Sequence, residues 1–207
     1  MLPDLLPLLP ACFTVYAARH ATPDRSRTDI PYHIPPGPEL TPLGKAQAAE
    51  LGHFLRGTGA VQFYHSPLVR AWDTAAIASE ICGVPLTLDN DLAEHRLDES
   101  QVQVTERVRR AFLQAARFSA ENGPSVVVSH GSPVLQLLRL LGLAPDIIER
   151  SRVYDSRNII PMAGAWRIER DAAGLNMQLV FMPEVTMADV VKTADLVPAP
   201  KPGTAAV

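Results

Sequence analysis

The chain has few cysteines, and the two that it has stand apart from each other. Cys12 and Cys82 are far apart in the sequence, and neither belongs to a Cys-x-x-Cys pair. A disulfide framework needs several cysteines, and a cysteine-rich zinc site needs closely spaced ones. The sequence therefore argues against both kinds of site.

The chain also lacks an excess of basic charge and a long apolar run. Its net charge is −3, so no global basic surface indicates nucleic-acid binding. No run reaches the roughly 18 apolar residues that a membrane span needs. The leucine-rich start has no Lys or Arg before Arg19 and is broken by prolines, unlike a signal peptide. We therefore expect a cytoplasmic protein with neither a nucleic-acid nor a membrane partner.

What is present fits an ordinary globular domain. Of the 207 residues, 47% are apolar and 20% are charged, which is usual for a protein with one sizeable core. We assign residues 1–185 to one domain. Residues 186–207 are rich in Ala and Pro, and we expect this tail to be flexible at its end.

Strand-like and helix-like segments alternate along the domain. The predicted strands are 12–18, 61–65, 84–88 and 125–130, followed by three near 157–161, 164–170 and 176–182. The predicted helices are 42–56, 67–82, about 99–121 and 133–142. This alternation predicts an α/β fold, a three-layer α/β/α sandwich with a mostly parallel sheet. The last two strands are predicted to form a β-hairpin.

Three of these helices are predicted to begin in the same way. The dipeptides Thr41-Pro42, Ser66-Pro67 and Ser132-Pro133 place a hydroxyl at the N-cap and proline at the first helical position. The second and third follow predicted strands directly. Their helix N-termini should therefore lie at the carboxyl edge of the sheet, where open α/β sheets bind ligands and where an anion is favoured.

Four cationic or titratable side chains are predicted at that same edge: Arg19, His20, Arg70 and His130. Taken singly, each has an ordinary explanation as a solvated charge or a structural hydrogen-bonder. Gathering two arginines in one place is costly without an anion. Phosphate is such an anion, because its oxygens match the forked donors of Arg, and a neutral imidazole is a good nucleophile near pH 7.

Five ordered blocks resemble the histidine phosphatase superfamily, also called phosphoglycerate-mutase-like, in its phosphatase-type branch. They are ARH at 18–20, LTPLGKAQA at 40–48, SPLVRAWDTA at 66–75, LAEH at 92–95 and VVSHG at 127–131. A single Arg-His pair would be a weak signal, whereas ordered blocks at matching spacing are a strong one. The resemblance extends from about residue 12 to 182.

The resemblance implies a phosphomonoester hydrolase that works through a phosphohistidine on His20. It also implies that Arg19, Arg70 and His130 bind the phosphoryl group, with Glu94 as general acid and Gly131 allowing close backbone approach. No metal or other cofactor is implied, because cationic side chains would neutralise the phosphate. The expected partner is a small phosphorylated substrate, and the oligomeric state stays open.

The chain departs from the family's pattern directly after His20. The usual motif is Arg-His-Gly, a variable residue and Thr, but here Ala21 and Pro23 replace the Gly and the Thr. Proline has neither a hydroxyl nor a backbone donor, so it cannot bind phosphate as the Thr would. Thr22 is our candidate to replace it. Ser26 stands where the family commonly has an Asn, and Ser26, Arg25 or Arg27 could compensate for that absence.

The identity of the acid has an alternative, Glu99. Glu94 stands where the family's Leu-x-Glu block places it, whereas Glu99-Ser100 resembles a later block. An insert that usually separates the two blocks is nearly deleted here, so we expect an open site. Tyr32, His33 and His95 are further candidates for substrate contacts, and Asn158 stands where the family often has an Asn.

Three other functions compete with the phosphatase. A mutase would use the same phosphohistidine but needs a closed site that excludes water, which the deletion argues against. A non-catalytic member would only bind phosphorylated ligands. An α/β-hydrolase with Ser129 or Ser132 as nucleophile is disfavoured, because the chain has no Gly-x-Ser-x-Gly motif.

Overall fold

Six strands form one mixed sheet in this computed structural model, which describes residues 5–187. The strands are β1 (Phe13–Arg19), β2 (Gln62–His65), β3 (Leu86–Leu88), β4 (Ser125–Ser129), β5 (Ala165–Asp171) and β6 (Gly174–Phe181). Their order across the sheet is β3-β2-β4-β1-β5-β6. The first four in that order pair in parallel, whereas β5 is antiparallel to β1 and to β6. The predicted mostly parallel sheet with a C-terminal hairpin is confirmed.

Helices cover both faces of this sheet. They are α1 (Pro42–Arg56), α2 (Val69–Cys82), α3 (Gln101–Asn122), α4 (Gly131–Leu140) and the short α5 (Pro145–Arg150). The side chains of β1 alternate between the two faces. Val15 and Ala17 pack in a core with α3 and α4, while Tyr16 and Ala18 pack in a second core with α1 and α2. The predicted three-layer sandwich is confirmed.

The carboxyl ends of β1, β4 and β2 share one edge, because these strands are adjacent and parallel. β1 ends at Arg19, β4 at Ser129 and β2 at His65. The residues that directly follow these strands therefore meet. The register of the sheet thus gathers segments that are more than one hundred residues apart in the chain.

Of the three predicted N-caps, the one at α1 is confirmed. The hydroxyl oxygen of Thr41 accepts a hydrogen bond of 3.0 Å from the amide of Gly44. The cap predicted at Ser66 is wrong, because α2 has Leu68 as its N-cap residue. The hydroxyl of Ser66 instead pairs with the ring of His130 at 2.7 Å.

The cap predicted at Ser132 is also wrong. The backbone of His130 is extended, with φ −128° and ψ 168°, and this residue is the N-cap of α4. Pro133 therefore lies inside the first turn, where its missing amide hydrogen leaves no helix hydrogen bond unmade.

The strand predicted near 157–161 is wrong as well. A short 3-10 turn, Asp155–Arg157, occupies its start, and Ser156 and Arg157 have positive φ of 52° and 56°. That conformation is incompatible with an extended strand. Asn158 makes only an isolated bridge to Tyr154. The β-branched residues that suggested a strand, Ile159 and Ile160, are instead buried in the core as a loop.

The predicted tail, 186–207, lies almost wholly outside the described residues. Across 5–187, no helix combines the length and the apolar composition that crossing a membrane requires.

Gly44 allows α1 to contact the loop after β1, and its replacement tests that contact. A Cβ at this position would lie 2.2 Å from the carbonyl oxygen of Thr22, which is backbone and cannot rotate away. Helix propensity alone favours Ala over Gly by about 1 kcal/mol. We expect Gly44→Ala to lower the free energy of unfolding by about 1–3 kcal/mol instead, as overpacking does.

Chemical denaturation measures this change, and Lys45→Ala is the matched control. Lys45 is exposed in the same helical turn, so its substitution should change the stability by less than about 0.5 kcal/mol. A stabilised Gly44→Ala protein would contradict the close contact.

Candidate active site

His20 follows β1 directly and is almost completely buried. Its Nδ1 lies 2.7 Å from the carbonyl oxygen of Ala21. Because a carbonyl only accepts, Nδ1 carries the ring proton and Nε2 keeps its lone pair. Burial lowers the pKa of His20 well below 6.5, and the nearby charges of Arg70 and Arg19 lower it further. The imidazole is therefore neutral at pH 7, in the form a nucleophile needs.

His130 follows β4 and is fully buried, with its ring centroid 5.1 Å from that of His20. Its Nε2 lies 2.7 Å from the Oγ of Ser66, which already accepts from the amide of Leu68 at 3.3 Å. The serine hydroxyl is thus available to donate to Nε2, which favours the ring proton on Nδ1. Burial, with Arg70 and His20 as further causes, lowers the pKa of His130 well below 6.5.

Arg70, in the first turn of α2, is fully buried but poorly paired. Its Nη1 donates to the carbonyl of Tyr32 at 2.8 Å, and its guanidinium lies 4.1 Å from the centre of the Tyr32 ring. Nε and Nη2 have no hydrogen-bond partner within 5–187. Burial lowers the pKa of Arg70 from its ordinary value. A guanidinium held by one nitrogen, with two others free, is arranged to receive a ligand with several oxygens.

Arg19 is held by Asp155 and Ile160, which are distant from it in the sequence. Its Nη1 and Nη2 donate to the two carboxylate oxygens of Asp155 at 2.6 and 2.9 Å, and Nη1 also donates to the carbonyl of Ile160. Its Nε is buried, with no partner in the described part of the chain. Both arginines therefore leave the Nε side of the guanidinium free.

Glu94 places one carboxylate oxygen between these unpaired donors. Its Oε2 lies 3.7 Å from Nη2 of Arg70 and 3.7 Å from Nδ1 of His130. These distances allow attraction but are too long for hydrogen bonds. The Oε1 atom accepts from the amide of His95 at 2.9 Å.

Glu99, the alternative acid, is committed elsewhere. It forms a bidentate pair with Arg107 at 2.7 and 2.9 Å, and this pairing lowers the pKa of Glu99. Arg107 also donates to the carbonyls of Asp91, Ala93 and Glu94 at 2.6–3.1 Å. All the nitrogens of this guanidinium are thus paired, in contrast to Arg70. The Glu99–Arg107 pair holds the backbone that carries Glu94.

A cavity of about 550 Å³ opens beside this cluster. Its lining includes several residues that the sequence analysis named as candidates for the functional site: Arg19, Tyr32, His33, Glu94, His95, Gly131, Ser132 and Asn158. His20, Arg70 and His130 are buried next to these residues. Leu97 on its rim is 95% exposed, so the cavity is open to solvent on this side. An open site is what we expected from the sequence.

Two predicted substrate-binding residues are not brought into this group. The hydroxyl of Thr22 donates to Gln47 at 2.7 Å, and that of Ser26 donates to Asp24 at 2.6 Å on the surface. Neither lines the cavity. In the structure, neither side chain therefore supplies the donor that Pro23 lacks.

The space expected above Gly131 is filled by protein. A Cβ there would lie 2.1 Å from Nδ2 of Asn158, so the glycine accommodates that amide rather than an approaching substrate. Ser129 does not face the cavity, because its hydroxyl donates to the carbonyl of Leu92 at 2.7 Å. This bond removes Ser129 from the candidates for a serine nucleophile.

The sequence profile of the histidine phosphatase superfamily (branch 1) matches residues 15–101. This stretch carries the Arg-His pair, Arg70 and Glu94, three parts of the cluster described above. The predicted resemblance to the histidine phosphatase superfamily is confirmed.

Solved structures share the histidine phosphatase fold at low sequence identity. The mycobacterial glucosyl-3-phosphoglycerate phosphatase is 21% identical, with a TM-score of 0.60 over 81% of this chain and 97% of that one. YhfR of Bacillus stearothermophilus is 19% identical, with a TM-score of 0.64 over 80% and 95%. A phosphoglycerate mutase from Bacillus anthracis is 15% identical, with a TM-score of 0.62 over 91% and 99%. No curated protein matches the chain in sequence. At these identities the structures establish the fold alone.

The cluster around His20 also contains a candidate metal-ligand set. One ligand atom each from His20, Glu94 and His130 lies within 4.8 Å of the others, a donor combination known from catalytic zinc sites. Arg70 and Arg19 lower the pKa values of both histidines by charge repulsion. The same repulsion acts on a divalent cation, so the electrostatics here favour an anion over a metal.

Several residues of this candidate site carry no signal in the local sequence. Asp155 and Arg107 act through long-range contacts, and nothing in the neighbouring sequence marks them. Ser66 carries a signal for a helix cap instead, because Ser-Pro is a common start signal. The stacking of Tyr32 on Arg70 depends on the path of the 21–40 loop, which no periodicity predicts.

The unpaired donors of Arg70 predict that inorganic phosphate stabilises the protein. Phosphate at one hundred times its dissociation constant should raise the free energy of unfolding by about 2.7 kcal/mol. Arg70→Met should abolish this stabilisation. Arg117→Met is the control, since Arg117 is exposed on α3 and its loss changes the net charge equally. Thermal denaturation at constant ionic strength measures the effect. Equal stabilisation of the Arg70→Met protein would contradict an anion site here.

The lowered pKa values predict how stability depends on pH. In the unfolded chain, His20 and His130 take up protons near pH 6.5, but in the folded protein they do so only at lower pH. The unfolded state therefore binds more protons in this window, and stability falls as the pH drops below about 6.5. Each histidine contributes up to about 1.4 kcal/mol per pH unit. Denaturation at several pH values should give a smaller slope for His20→Asn than for the wild type, and an unchanged slope would refute the buried neutral state.

Proposed function

We propose that this protein is a phosphomonoester hydrolase that works through a phosphohistidine on His20. One observation carries the proposal: a neutral His20, its Nε2 free, lies in a cluster where buried donors of Arg70 and His130 lack partners among residues 5–187. A buried donor without a partner is costly. A phosphoryl group satisfies these donors together, because its oxygens accept from several directions at once.

In the first step, Nε2 of His20 attacks phosphorus. The N–P bond forms as the bond from phosphorus to the leaving oxygen breaks. Arg19, Arg70 and His130 hold the other phosphoryl oxygens and stabilise the charge that spreads over them. The ring proton stays on Nδ1, where the carbonyl of Ala21 orients it.

Glu94 supplies the proton for the leaving oxygen. Its carboxyl lies beside the donors that would hold the phosphoryl group. In the second step, Glu94 takes a proton from water as water attacks phosphorus. The N–P bond then breaks, phosphate leaves and His20 is neutral again. Glu99 cannot take this role while Arg107 holds both its oxygens.

The open cavity supports hydrolysis over phosphoryl return to a bound acceptor. A mutase must keep water away from the phosphohistidine, and the segment after Glu94 leaves the side chain of Leu97 in solvent. We also propose that the reaction needs no metal, since the two guanidinium groups supply the positive charge. The small phosphorylated substrate and the cytoplasmic location stay predictions from the sequence.

Glu94→Gln tests the role of the acid through its dependence on the leaving group. The loss in kcat/KM, which reports the steps up to cleavage of the bond to the leaving oxygen, should be about 10²–10⁴-fold for an alkyl phosphate such as glycerol 3-phosphate. It should be much smaller for p-nitrophenyl phosphate, whose leaving group needs little protonation. Assays in EDTA, with phosphate release as the readout, measure both.

Controls separate this role from a loss of structure. Glu99→Gln loosens the segment that carries Glu94, so it should lower the activity towards both substrates by a similar factor. His20→Ala should abolish hydrolysis and the acid-labile phosphoenzyme, which rapid quenching in base traps. Persistent activity of His20→Ala would refute the assignment, and activity that EDTA removes and zinc restores would favour a metal enzyme. Transfer of phosphate to another hydroxyl of the substrate would identify a mutase.

A further inference from the structure

A second cavity of about 780 Å³ adjoins the active-site cavity. It is lined by residues 31–34 of the loop after β1 and by residues 96–98 of the segment before α3. Tyr32, His33, Arg96 and Leu97 line both cavities. The second cavity, which we call the side groove, is therefore continuous with the proposed site of phosphoryl transfer.

The position of Glu94 directs the leaving group towards this groove. An in-line displacement places the leaving oxygen on the side of phosphorus opposite to His20. The acid must lie beside that oxygen to protonate it. The chain runs from Glu94 directly into residues 96–98, which form one wall of the side groove. The part of the substrate beyond the leaving oxygen thus meets this wall.

The side groove is apolar where it is most exposed. Leu97 is 95% exposed and Ile34 is 60% exposed, and both line it. Large aliphatic side chains that line a cavity next to an active site indicate an apolar ligand. The charges at the rim, Arg96 and Asp98, lie 3.6 Å apart and largely offset each other.

His33 also lines the groove. Nδ1 of His33 is buried, and no other group in the described chain hydrogen-bonds to it. Apolar ligand sites commonly contain a few such polar groups, which fix the orientation of the ligand. The other polar side chains of the lining are Tyr32 and the mutually paired Arg96 and Asp98.

We propose that the side groove is the subsite for the leaving group, and that it takes an apolar or aromatic alcohol portion of the phosphomonoester. This inference rests on the proposed phosphatase function and adds a substrate class to it. Ile34 and Leu97 enclose the apolar portion, and His33 completes the lining beside them.

Two alkyl phosphates of similar leaving-group basicity test the subsite: 3-phenylpropyl phosphate and glycerol 3-phosphate. We expect kcat/KM to be at least tenfold higher for the phenylpropyl ester, mainly through a lower KM. Leu97→Ser and Ile34→Ser should each reduce the ratio of the two kcat/KM values by about tenfold, because each removes apolar surface that the phenyl group would cover. This ratio does not respond to a general loss of activity.

Val102→Ser is the matched control, because Val102 is 62% exposed on α3 and lies outside the groove lining. It should leave both kcat/KM values unchanged. Hydrolysis of both esters without a preference, or a preference that Leu97→Ser does not reduce, would overturn the subsite but leave the phosphatase intact. Failure to hydrolyse either ester, or p-nitrophenyl phosphate, would instead overturn the proposed function. If Leu97→Ser changed the oligomeric state, measured as the native molecular mass in solution, the groove would be an interface between copies of the chain. That result would also overturn the subsite.

Discussion

Two buried arginines, Arg107 and Arg70, differ in how many of their guanidinium nitrogens are hydrogen-bonded. Arg107 uses every nitrogen of its guanidinium in hydrogen bonds to one carboxylate and three carbonyls. Arg70 is equally buried, but Nε and Nη2 are unpaired within 5–187. Leaving donors unpaired in a desolvated site is unfavourable, and the rest of the fold must offset it. A bound anion would offset this cost by accepting hydrogen bonds from the unpaired donors. Arg19, His130 and Glu94 lie around the same position.

The support for this cluster comes from every part of the chain. Asp155 holds Arg19, Ser66 orients His130, and Tyr32 stacks on Arg70. Each contact holds its side chain in place, while Nε of Arg19, Nδ1 of His130, and Nε and Nη2 of Arg70 keep no partner within 5–187. The Glu99–Arg107 pair has a related role, since it holds the segment that carries Glu94. This ion pair keeps Glu94 in place and leaves the cavity open.

Sequence patterns predicted the regular elements well where burial dictated them. β1 and β4 are apolar on both faces, and α1 combines a regular apolar face with a Thr-Pro start, so their positions were clear. The predictions were wrong where a residue or segment with a local signal for secondary structure makes a tertiary contact instead. Ser66 resembles a cap but pairs with His130, and the segment 157–161 resembles a strand although its preceding turn has positive φ. In both places long-range contacts outweigh local preference.

By itself, the sequence determined the α/β sandwich and the residues that carry the candidate chemistry, because period, burial and motif order are local properties of the chain. Only the tertiary structure decided which groups meet and which donors stay free. It pairs Glu99, and not Glu94, with Arg107, and it pairs the hydroxyls of Thr22 and Ser26 with Gln47 and Asp24, outside the cavity lining. Hydrogen-bond pairing depends on positions in space, and residues distant in the chain compete for the same donors.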